Sequence, residues 1–335
     1  MTKKGKLTLI IVSAILLLIL CVVGVIAIVA NSQNDKSQPT QELSQWMGMI
    51  KDETLLKNVV IPGAHDAGTK DLPYLAKTQD RDTSDLLACG TRYLDLRVSK
   101  TKDGELKIYH GPFKGATLDS VFDHILKFLA KNPTEALILD FQHFSGDAEK
   151  DTQDKVLATL PYVTAEGDFV QFVDSLTLGE IRGKCLVLWG DESADGKIFL
   201  RRNNDEGTID ESALHSYYEG KLNKKSSSTY IKDALPHYID RYEKQGYGLF
   251  VLQGQLTDGL FVFGPHLREA THNKNMNKYV EGLKDSEHLD IINIVMRDFV
   301  TPRKNCLALQ LNITKGNVKD ESATAFQKMI EENIK

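Results

Sequence analysis

Short apolar runs alternate with amphipathic stretches through most of this chain, and this alternation limits its possible folds more than any other feature. Each run is short, rich in aliphatic, β-branched or aromatic residues, and bounded by polar or glycine positions, as buried strands are. Strands that alternate with helices indicate a parallel sheet with helical crossovers. The predicted strands are Val59–Pro62, Tyr93–Val98, Leu106–Tyr109, Ala136–Phe141, Cys185–Trp189, Leu249–Gln253 and Ile291–Arg297.

The clearest predicted helix is Leu118–Lys131, whose apolar residues fall on one face. Thr117 is a suitable N-cap for it, and Asn132-Pro133 ends it. Weaker patterns predict helices over Leu43–Ile50 and Ala323–Ile334, at the two ends of the domain.

Seven or more such strands in roughly 290 residues predict one α/β domain, a distorted barrel of the triosephosphate isomerase type. A doubly wound sheet is the alternative, but no glycine-rich phosphate loop follows the first strand. In the barrel, functional groups lie at the C-terminal ends of the strands. Polar residues at those ends are therefore the candidate site residues.

The first segment of the chain, Leu7–Ala30, is almost entirely aliphatic and carries no charge. As a helix it would span roughly 36 Å, and a bilayer core is about 30 Å thick. Three lysines precede it, which predicts a cytoplasmic N-terminus and a domain outside the cytosol. A cleaved signal peptide, with a small-residue site at Val25-Ile26-Ala27, is the alternative. The predicted organisation is a cytoplasmic end over 1–6, a transmembrane anchor over 7–30, a linker over 31–40 and a catalytic barrel over 41–335.

The net charge of −5 argues against a nucleic-acid partner, because phosphate backbones select basic surfaces. After the anchor, Cys89, Cys185 and Cys306 lack metal-ligand spacing. One disulfide and three buried thiols both remain open. Asn312-Ile313-Thr314 is a glycosylation sequon, usable only in a eukaryotic cell and only if it is exposed.

Two histidines stand at predicted strand ends. His65 and Asp66 follow an apolar strand on a turn of small residues, and His110 closes the strand before Gly111-Pro112. Histidine gains and loses a proton near neutral pH, so either can serve as a general acid or base. Taken singly, each is equally well explained as an ordinary turn or strand-end histidine.

Charged residues occur in or at the end of three more strands. Alternation places Asp95 and Arg97 on the same side of one strand, where the arginine could hold a phosphate through two hydrogen bonds or form a structural ion pair. Asp298 closes the last strand and could orient a histidine. Asp140 could assist the site from the fourth strand, whereas His143 is interpreted as an ordinary loop histidine.

Together these residues predict phosphodiester chemistry beside a free hydroxyl. One histidine would remove the hydroxyl proton, the other would protonate the leaving alcohol, and a cation would stabilise the equatorial oxygens.

At these motifs the chain resembles the phosphatidylinositol-specific phospholipase C family in its catalytic X domain. The motifs are IPGAHDAGT, YLDLRV, IYHGP, LILDFQHF, LFVLQGQLT and NIVMRDFV, in this order from Ser44 to Asp298. The resemblance implies a distorted barrel that cleaves an inositol phospholipid to cyclic inositol phosphate and diacylglycerol. The LDFQHF and LFVLQGQLT segments are similar to the small members that consist of the X domain alone, and Arg97 is similar to the bacterial members.

The resemblance also implies a role for each candidate residue. His65 would be the general base on the inositol 2-hydroxyl, with Asp298 as its partner. His110 would be the general acid, helped by Asp66. Arg97 would stabilise the phosphate, and Asp95 would support the pair.

The calcium-dependent branch of the family carries a carboxylate where this chain has Arg97, and Gln142 is not a carboxylate either. The resemblance therefore implies an enzyme without metal or other cofactor, and no protein partner is indicated. The headgroup-binding residues do not match from Trp189 to Tyr218, so the exact lipid stays open. Arg201, Arg202, Tyr217 and Tyr218 could bind a phosphorylated headgroup, but a solvated loop is the favoured interpretation.

Two other functions remain as alternatives. The first is an inactive membrane-bound barrel that binds lipid or phosphate. The second is a metal-dependent glycerophosphodiesterase, which needs a carboxylate cluster for its ion.

Overall fold

A computed structural model describes residues 10–18, 20–22, 24, 37–190, 199–203, 212–257 and 264–334 of the chain. Its strands are β1 (Ile61–Ala64), β2 (Tyr93–Lys100), β3 (Leu106–His110), β4 (Phe113–Thr117), β5 (Leu137–Ser145), β6 (Cys185–Trp189), β7 (Leu200–Arg201), β8 (Leu214–Ser216), β9 (Leu249–Gln253) and β10 (Ile294–Arg297). Eight of them pair in parallel in the order β7-β6-β5-β2-β1-β10-β9-β8.

The ends of this sheet meet and form a barrel. The backbone N–H of Ala213 donates to the carbonyl of Arg201 at 2.7 Å, and that of Asn203 donates to Leu214 at 2.9 Å. These bonds join the β7 and β8 sides of the sheet, where Arg202 and Leu214 form a parallel bridge. The predicted α/β barrel is thus confirmed.

The helices lie between the strands in sequence. The α-helices are α1 (Thr83–Ala88), α2 (Leu118–Lys131), α3 (Ala148–Thr159), α4 (Phe169–Ser175), α5 (Leu178–Ile181), α6 (Gly220–Asn223), α7 (Ser227–Thr229), α8 (Leu235–Gln245), α9 (Gly264–Gly282), α10 (Pro302–Leu309), α11 (Leu311–Thr314) and α12 (Ala323–Ile334). A π-helical turn over Tyr230–Ala234 leads into α8, and 3₁₀ turns cover Glu42–Met49, Leu56–Asn58, Leu283–Asp285, Leu289–Ile291 and Asp320–Ser322.

The barrel strands alternate their side chains between an interior cluster and the helices outside. In β6, Leu186 and Leu188 join the interior cluster, whereas Val187 and Trp189 join the cluster beneath the surrounding helices. A strand buried on both faces therefore reads as a continuous apolar run. Trp46 closes the interior cluster from the N-terminal 3₁₀ helix and donates its indole N–H to the carbonyl of Gly90 at 2.9 Å.

Two helix predictions are confirmed with the predicted bounds, Leu118–Lys131 and Ala323–Ile334. The hydroxyl of Thr117 accepts from the N–H of Ser120, as the predicted N-cap requires. The segment predicted as helix over Leu43–Ile50 forms a 3₁₀ helix over Glu42–Met49 with a kink at Gln45.

The interpretation of Leu106–Tyr109 as one of the parallel strands is wrong. β3 pairs antiparallel with β2 and forms a hairpin with β4 outside the barrel path. Only five residues, 101–105, separate β2 from β3, which suits a hairpin and cannot hold a crossover helix. The short strands β7 and β8 complete the barrel in its place, and the apolar pattern did not reveal them.

The predicted anchor, Leu7–Ala30, falls only partly within the described residues. Residues 10–18, 20–22 and 24 are helical, and their side chains are exposed. Among the residues that the structure describes, no helix is both long and apolar enough to cross a membrane.

Two open questions about the sequence are answered by burial. Cys89, Cys185 and Cys306 are free, buried thiols, so the disulfide alternative is wrong. The side chain of Asn312 is fully buried and exchanges two hydrogen bonds of 2.8 Å with the backbone of Val60. The sequon therefore cannot accept a glycan in the folded protein.

Candidate active site

The predicted site residues converge at one end of the barrel, because β1 lies between β2 and β10 in the sheet. His65 and Asp66 follow β1, Asp95 and Arg97 belong to β2, and Asp298 follows β10. Parallel strands end at the same edge, so these side chains meet there. His110 reaches the same place from the end of the β3–β4 hairpin.

His65 and Asp298 form a hydrogen-bonded pair, with 2.7 Å between Nδ1 and Oδ1. The backbone N–H of His65 donates to the carbonyl of Arg297 at 3.1 Å. The amide of Gln79 donates to both the His65 and Arg297 carbonyls, at 2.8 and 3.0 Å. The backbone on both sides of the pair is therefore fixed, and His65 lines the cavity described below.

Arg97 lies against this free nitrogen. Its Nε is 2.7 Å from Oδ1 of Asp66, and its Nη2 is 3.4 Å from Nε2 of His65. Nη2 also lies 3.9 Å from Oδ2 of Asp95, the oxygen that accepts the backbone N–H of Asp66 at 3.2 Å. An irregularity in the pairing of β2 with β5 between Leu96 and Arg97 shifts the register at this point. Both charged residues nevertheless reach the site.

His110 lies on the other side of Asp66. Its Nδ1 is 2.7 Å from the carbonyl of Ala76, which as an acceptor requires a proton on this nitrogen. Its Nε2 is 3.8 Å from Oδ2 of Asp66, and the same oxygen is 3.4 Å from Nε2 of His65. One carboxylate oxygen thus separates the two imidazoles.

The carboxylates control protonation at the site. Burial alone would lower the pKa of His65, but the charges of Asp66, Asp298 and Asp95 raise it to about 9. Burial would raise the pKa of Asp66, yet the nearby Arg97 and His65 lower it to about 2. Burial raises the pKa of Asp95 to about 6 against the attraction of Arg97. Without substrate at neutral pH, a protonated His65 therefore faces an ionised Asp66.

His65, Asp66 and Asp95 also offer ligand atoms within 4.8 Å of one another, as a metal site would. However, the Arg97 guanidinium lies 2.7 Å from one of the Asp66 oxygens. A permanent positive charge at this oxygen repels a divalent ion. The donor set therefore does not fit the calcium ion that the metal-dependent branch holds.

A polar cavity of about 230 Å³ opens beside Arg97 and the two histidines. Its other walls come from the ends of further barrel strands, namely Gln142, His143, Arg202, Tyr218, Gln253, Gln255, Thr257 and Met296. None of these lining residues carries a carboxylate. The cavity can therefore take an anionic or hydroxyl-rich group.

The interpretation of Arg202 and its neighbours as a solvated loop is wrong for most of that set. Arg202 is 2% exposed, and its Nε lies 3.1 Å from both oxygens of Asp140. Tyr217 is buried and Tyr218 lines the cavity, whereas Arg201 is exposed as expected. Asp140 also accepts the hydroxyl of Tyr93 at 2.6 Å.

Sequence reasoning also missed part of the cavity wall. His143 was interpreted as an ordinary loop histidine, yet it lines the cavity. Gln253 and Gln255 stand at and just after the end of β9, and that position was the available signal.

A smaller cavity of about 80 Å³ also borders the two histidines. Leu75, Leu256 and Pro265 give it an apolar wall, and Asp298 borders it. Both histidines therefore line a polar and an apolar cavity. A larger open groove of about 670 Å³ runs between α9 and the segment from α7 to the start of α8, and it contains none of the six predicted site residues.

A family model and several known proteins are similar to this chain in sequence. The sequence model of the family described as "Phosphatidylinositol-specific phospholipase C, X domain" matches residues 56–189. The chain is similar to a 1-phosphatidylinositol phosphodiesterase of Listeria monocytogenes, with 28% identity over 300 residues, covering 86% of this chain and 89% of that protein. A Staphylococcus aureus protein of the same description is 23% identical over 208 residues, covering 58% and 65%.

The fold agrees with a solved structure as well. The phosphatidylinositol-specific phospholipase C from Listeria monocytogenes superposes with a TM-score of 0.62 at 23% identity. The superposition covers 81% of this chain and 98% of that one. At this identity the likeness establishes the barrel fold alone.

Proposed function

Since the chain belongs to the phosphatidylinositol-specific phospholipase C family, as an X-domain member of the bacterial-like type, we propose that it cleaves phosphatidylinositol or a related inositol phospholipid. The products are cyclic inositol phosphate and diacylglycerol. The observation that carries the proposal is Arg97 Nη2 at 3.4 Å from the free nitrogen of a histidine that Asp298 holds at 2.7 Å. The contact places a candidate base, His65, beside a cation that can bind phosphate, Arg97.

In the proposed reaction His65 is the general base. Asp298 accepts the proton on Nδ1, so a neutral His65 presents its Nε2 lone pair to the inositol 2-hydroxyl. The hydroxyl oxygen forms the new bond to phosphorus as its proton passes to Nε2. Arg97 stabilises the negative charge on the equatorial oxygens, and Asp95 and Asp66 orient the guanidinium.

His110 is the general acid of the same reaction. The Ala76 carbonyl fixes its Nδ1, so the proton that it transfers is the one on Nε2. The bond between phosphorus and the glycerol oxygen breaks, and that oxygen takes the proton and leaves as diacylglycerol. Oδ2 of Asp66 lies 3.8 Å from this Nε2, within reach to help orient the imidazole. The polar cavity suits the inositol headgroup, and the apolar cavity suits the glycerol side of the lipid. Both histidines, which line the two cavities, would then lie close to the bond between phosphorus and the glycerol oxygen.

The metal-dependent glycerophosphodiesterase is disfavoured because Arg97 occupies the carboxylate cluster. The inactive barrel is disfavoured because both histidines and the cation stand within contact distance of one carboxylate.

Turnover of micellar phosphatidylinositol in excess EDTA tests the proposal. The wild-type enzyme should be active, whereas His65→Ala and His110→Ala should each lose about 10²–10⁴-fold in rate. Arg97→Lys should also be poor, because an ammonium cannot make the bidentate contact. His237→Ala is the control, since this histidine is exposed on α8. Loss of wild-type activity in EDTA and its return with calcium would contradict the proposal, as would a folded His65→Ala variant with more than half the wild-type rate.

The proposed attachment concerns the N-terminal part of the chain. Residues 7–30 anchor the enzyme with residues 1–6 in the cytoplasm, residues 31–40 form the linker, and the barrel over 41–335 lies outside the cytosol, released if the segment is cleaved. The length, apolarity and preceding lysines of that segment support this arrangement. Protease added to intact cells should digest the barrel, with a cytoplasmic protein as the control. A barrel that is protected in intact cells and digested only after lysis would contradict this orientation.

A further inference from the structure

Behind Asp298 lies a buried ionic cluster that the proposed reaction does not use. It consists of Lys304 on α10, Glu269 on α9 and Arg297 at the end of β10. These side chains are 4%, 1% and 2% exposed. Burying charges costs several kcal/mol per ion even when they are paired. A cluster of this kind in the wall of the site therefore calls for an explanation.

The ammonium of Lys304 makes three hydrogen bonds, which is all that it can donate. It donates to the carbonyl of Asp298 at 2.8 Å, to that of Phe299 at 2.8 Å, and to Oε1 of Glu269 at 2.5 Å. Two of its three acceptors are thus the backbone of the residue that holds His65 and of the residue after it.

The backbone that Lys304 holds is strained. Phe299 has φ of 45°, in the left-handed region that bulky residues rarely adopt. Such a conformation costs about 1–3 kcal/mol and persists only where the surroundings enforce it. Besides Lys304, the carbonyl of Thr78 accepts the N–H of Phe299 at 2.7 Å. Relaxation of this turn would swing the Asp298 side chain away from Nδ1 of His65.

Glu269 in turn fixes Lys304 and Arg297. Its Oε1 accepts from both, at 2.5 Å from Nζ of Lys304 and 3.3 Å from Nη2 of Arg297. The guanidinium of Arg297 also donates to Asn277 and Asn273 on α9, at 2.9 and 3.1 Å. The cluster therefore ties the strand end that carries Asp298 to both flanking helices.

We propose that Lys304 and Glu269 are positioning residues, which hold the turn at Asp298 and Phe299 so that the Asp298 carboxylate stays at hydrogen-bond distance from His65. They act through Asp298 and do not touch the substrate. The kinetic part of this inference rests on the proposed function, but the geometric part does not.

A matched pair of variants separates positioning from general stability. Glu269→Gln removes one charge from this cluster, and Glu135→Gln removes one charge from the fully buried Arg92–Glu135 pair, whose atoms are 2.7 Å apart. Arg92 and Glu135 precede β2 and β5, at the end of the barrel away from the site. Lys304→Met is a second variant in the cluster, in case one substitution prevents folding.

The readout is the downfield proton resonance of the His65–Asp298 hydrogen bond, measured by NMR without substrate and assigned by its loss in Asp298→Ala. In folded Glu269→Gln and Lys304→Met it should shift upfield or disappear, whereas Glu135→Gln should retain it. With phosphatidylinositol, kcat of the two cluster variants should fall about 10-fold or more, since a displacement near 1 Å can cost about 10²-fold. The KM should change little.

Two results would overturn the inference. One is a folded cluster variant whose resonance is unchanged. The other is an equal change in Glu135→Gln, which would make the effect one of stability alone. The resonance can be measured without turnover. An inactive wild-type enzyme would therefore contradict the proposed function, but the NMR test of the positioning role could still be carried out.

Discussion

At the scale of single residues, Asp66 and Asp298 contact the two histidines in different ways. Asp298 is bonded to Nδ1 of His65 and fixes which nitrogen remains free. Asp66 lies between the two Nε2 atoms and pairs with Arg97. Asp298 therefore orients His65, whereas Asp66 contacts both histidines and Arg97.

Replacing Asp298 should shift the pH dependence of catalysis in a defined direction. With a pKa of about 9, His65 is protonated at neutral pH, so kcat/KM should rise with pH through that value. Asp298→Asn removes one of the charges that raise this pKa. The acidic limb of kcat/KM should then move to lower pH by about one unit or more, while the maximal rate falls. A pH profile of the variant measures this.

The control for this profile is Asp240→Asn, because Asp240 is exposed on α8 and lies outside the site. Its acidic limb should match that of the wild type. An Asp298→Asn profile whose limb stays in place or moves to higher pH would show that His65 is not the group that titrates.

The residue types at strand ends could be predicted from the sequence, but their surroundings could not. His65, Asp95 and Asp298 were predicted because strand ends of a barrel meet at one face. Arg202 was interpreted as solvated because it lies in a polar stretch with no apolar periodicity. Its burial depends on Asp140, 62 positions earlier in the chain, and no local pattern encodes that pairing.

At the scale of elements, the β3–β4 hairpin brings His110, the proposed general acid, to a site otherwise built from barrel strands. His110 ends β3, and the hairpin contacts the turn after β1 through the N–H of Ala116, which donates to the carbonyl of Gly68 at 3.2 Å. Gly115 makes this approach possible, since a Cβ there would stand 2.7 Å from that carbonyl oxygen. The hairpin must shift if the glycine gains a side chain.

Gly115→Ala should therefore reduce catalysis without unfolding the barrel. The added methyl pushes the hairpin outward and lengthens the bond from His110 to Ala76, now 2.7 Å. We expect kcat to fall about 10-fold or more, in line with the cost of misplacing a catalytic group. Steady-state kinetics with circular dichroism as a folding check measure this.

Gly282→Ala is the matched control, because nothing lies within 4 Å of a Cβ at this position. It should retain wild-type kcat. If Gly115→Ala is folded and equally active, the hairpin does not set the position of His110.

Elements were predictable where local signals were complete. Helix α2 has a capping threonine, an apolar face and a terminating Asn-Pro, and its bounds are as predicted. The β3 segment has the same apolar character as a barrel strand, so composition could not reveal its antiparallel pairing. The strands β7 and β8 have only two and three residues, which is too short for an alternation of apolar and polar residues to be recognised in the sequence.

At the scale of the whole molecule, the barrel places a polar cavity and an apolar cavity against the same pair of histidines. That arrangement suits a substrate with a hydroxyl-rich headgroup, a phosphodiester and an apolar remainder. In the proposed reaction, His65 accepts a proton from a substrate hydroxyl and His110 donates one to the leaving alcohol. The central claim is this internal attack, in which water takes no part in the first step.

Mass spectrometry of the first product formed from phosphatidylinositol in ¹⁸O-enriched water tests that claim most directly. Attack by the inositol 2-hydroxyl predicts cyclic inositol phosphate without ¹⁸O, together with diacylglycerol, and neither product with His65→Ala. Label should enter only if the cyclic phosphate is hydrolysed later. An acyclic, ¹⁸O-labelled inositol phosphate as the first product would contradict the account, and so would an intact substrate with the folded wild-type enzyme.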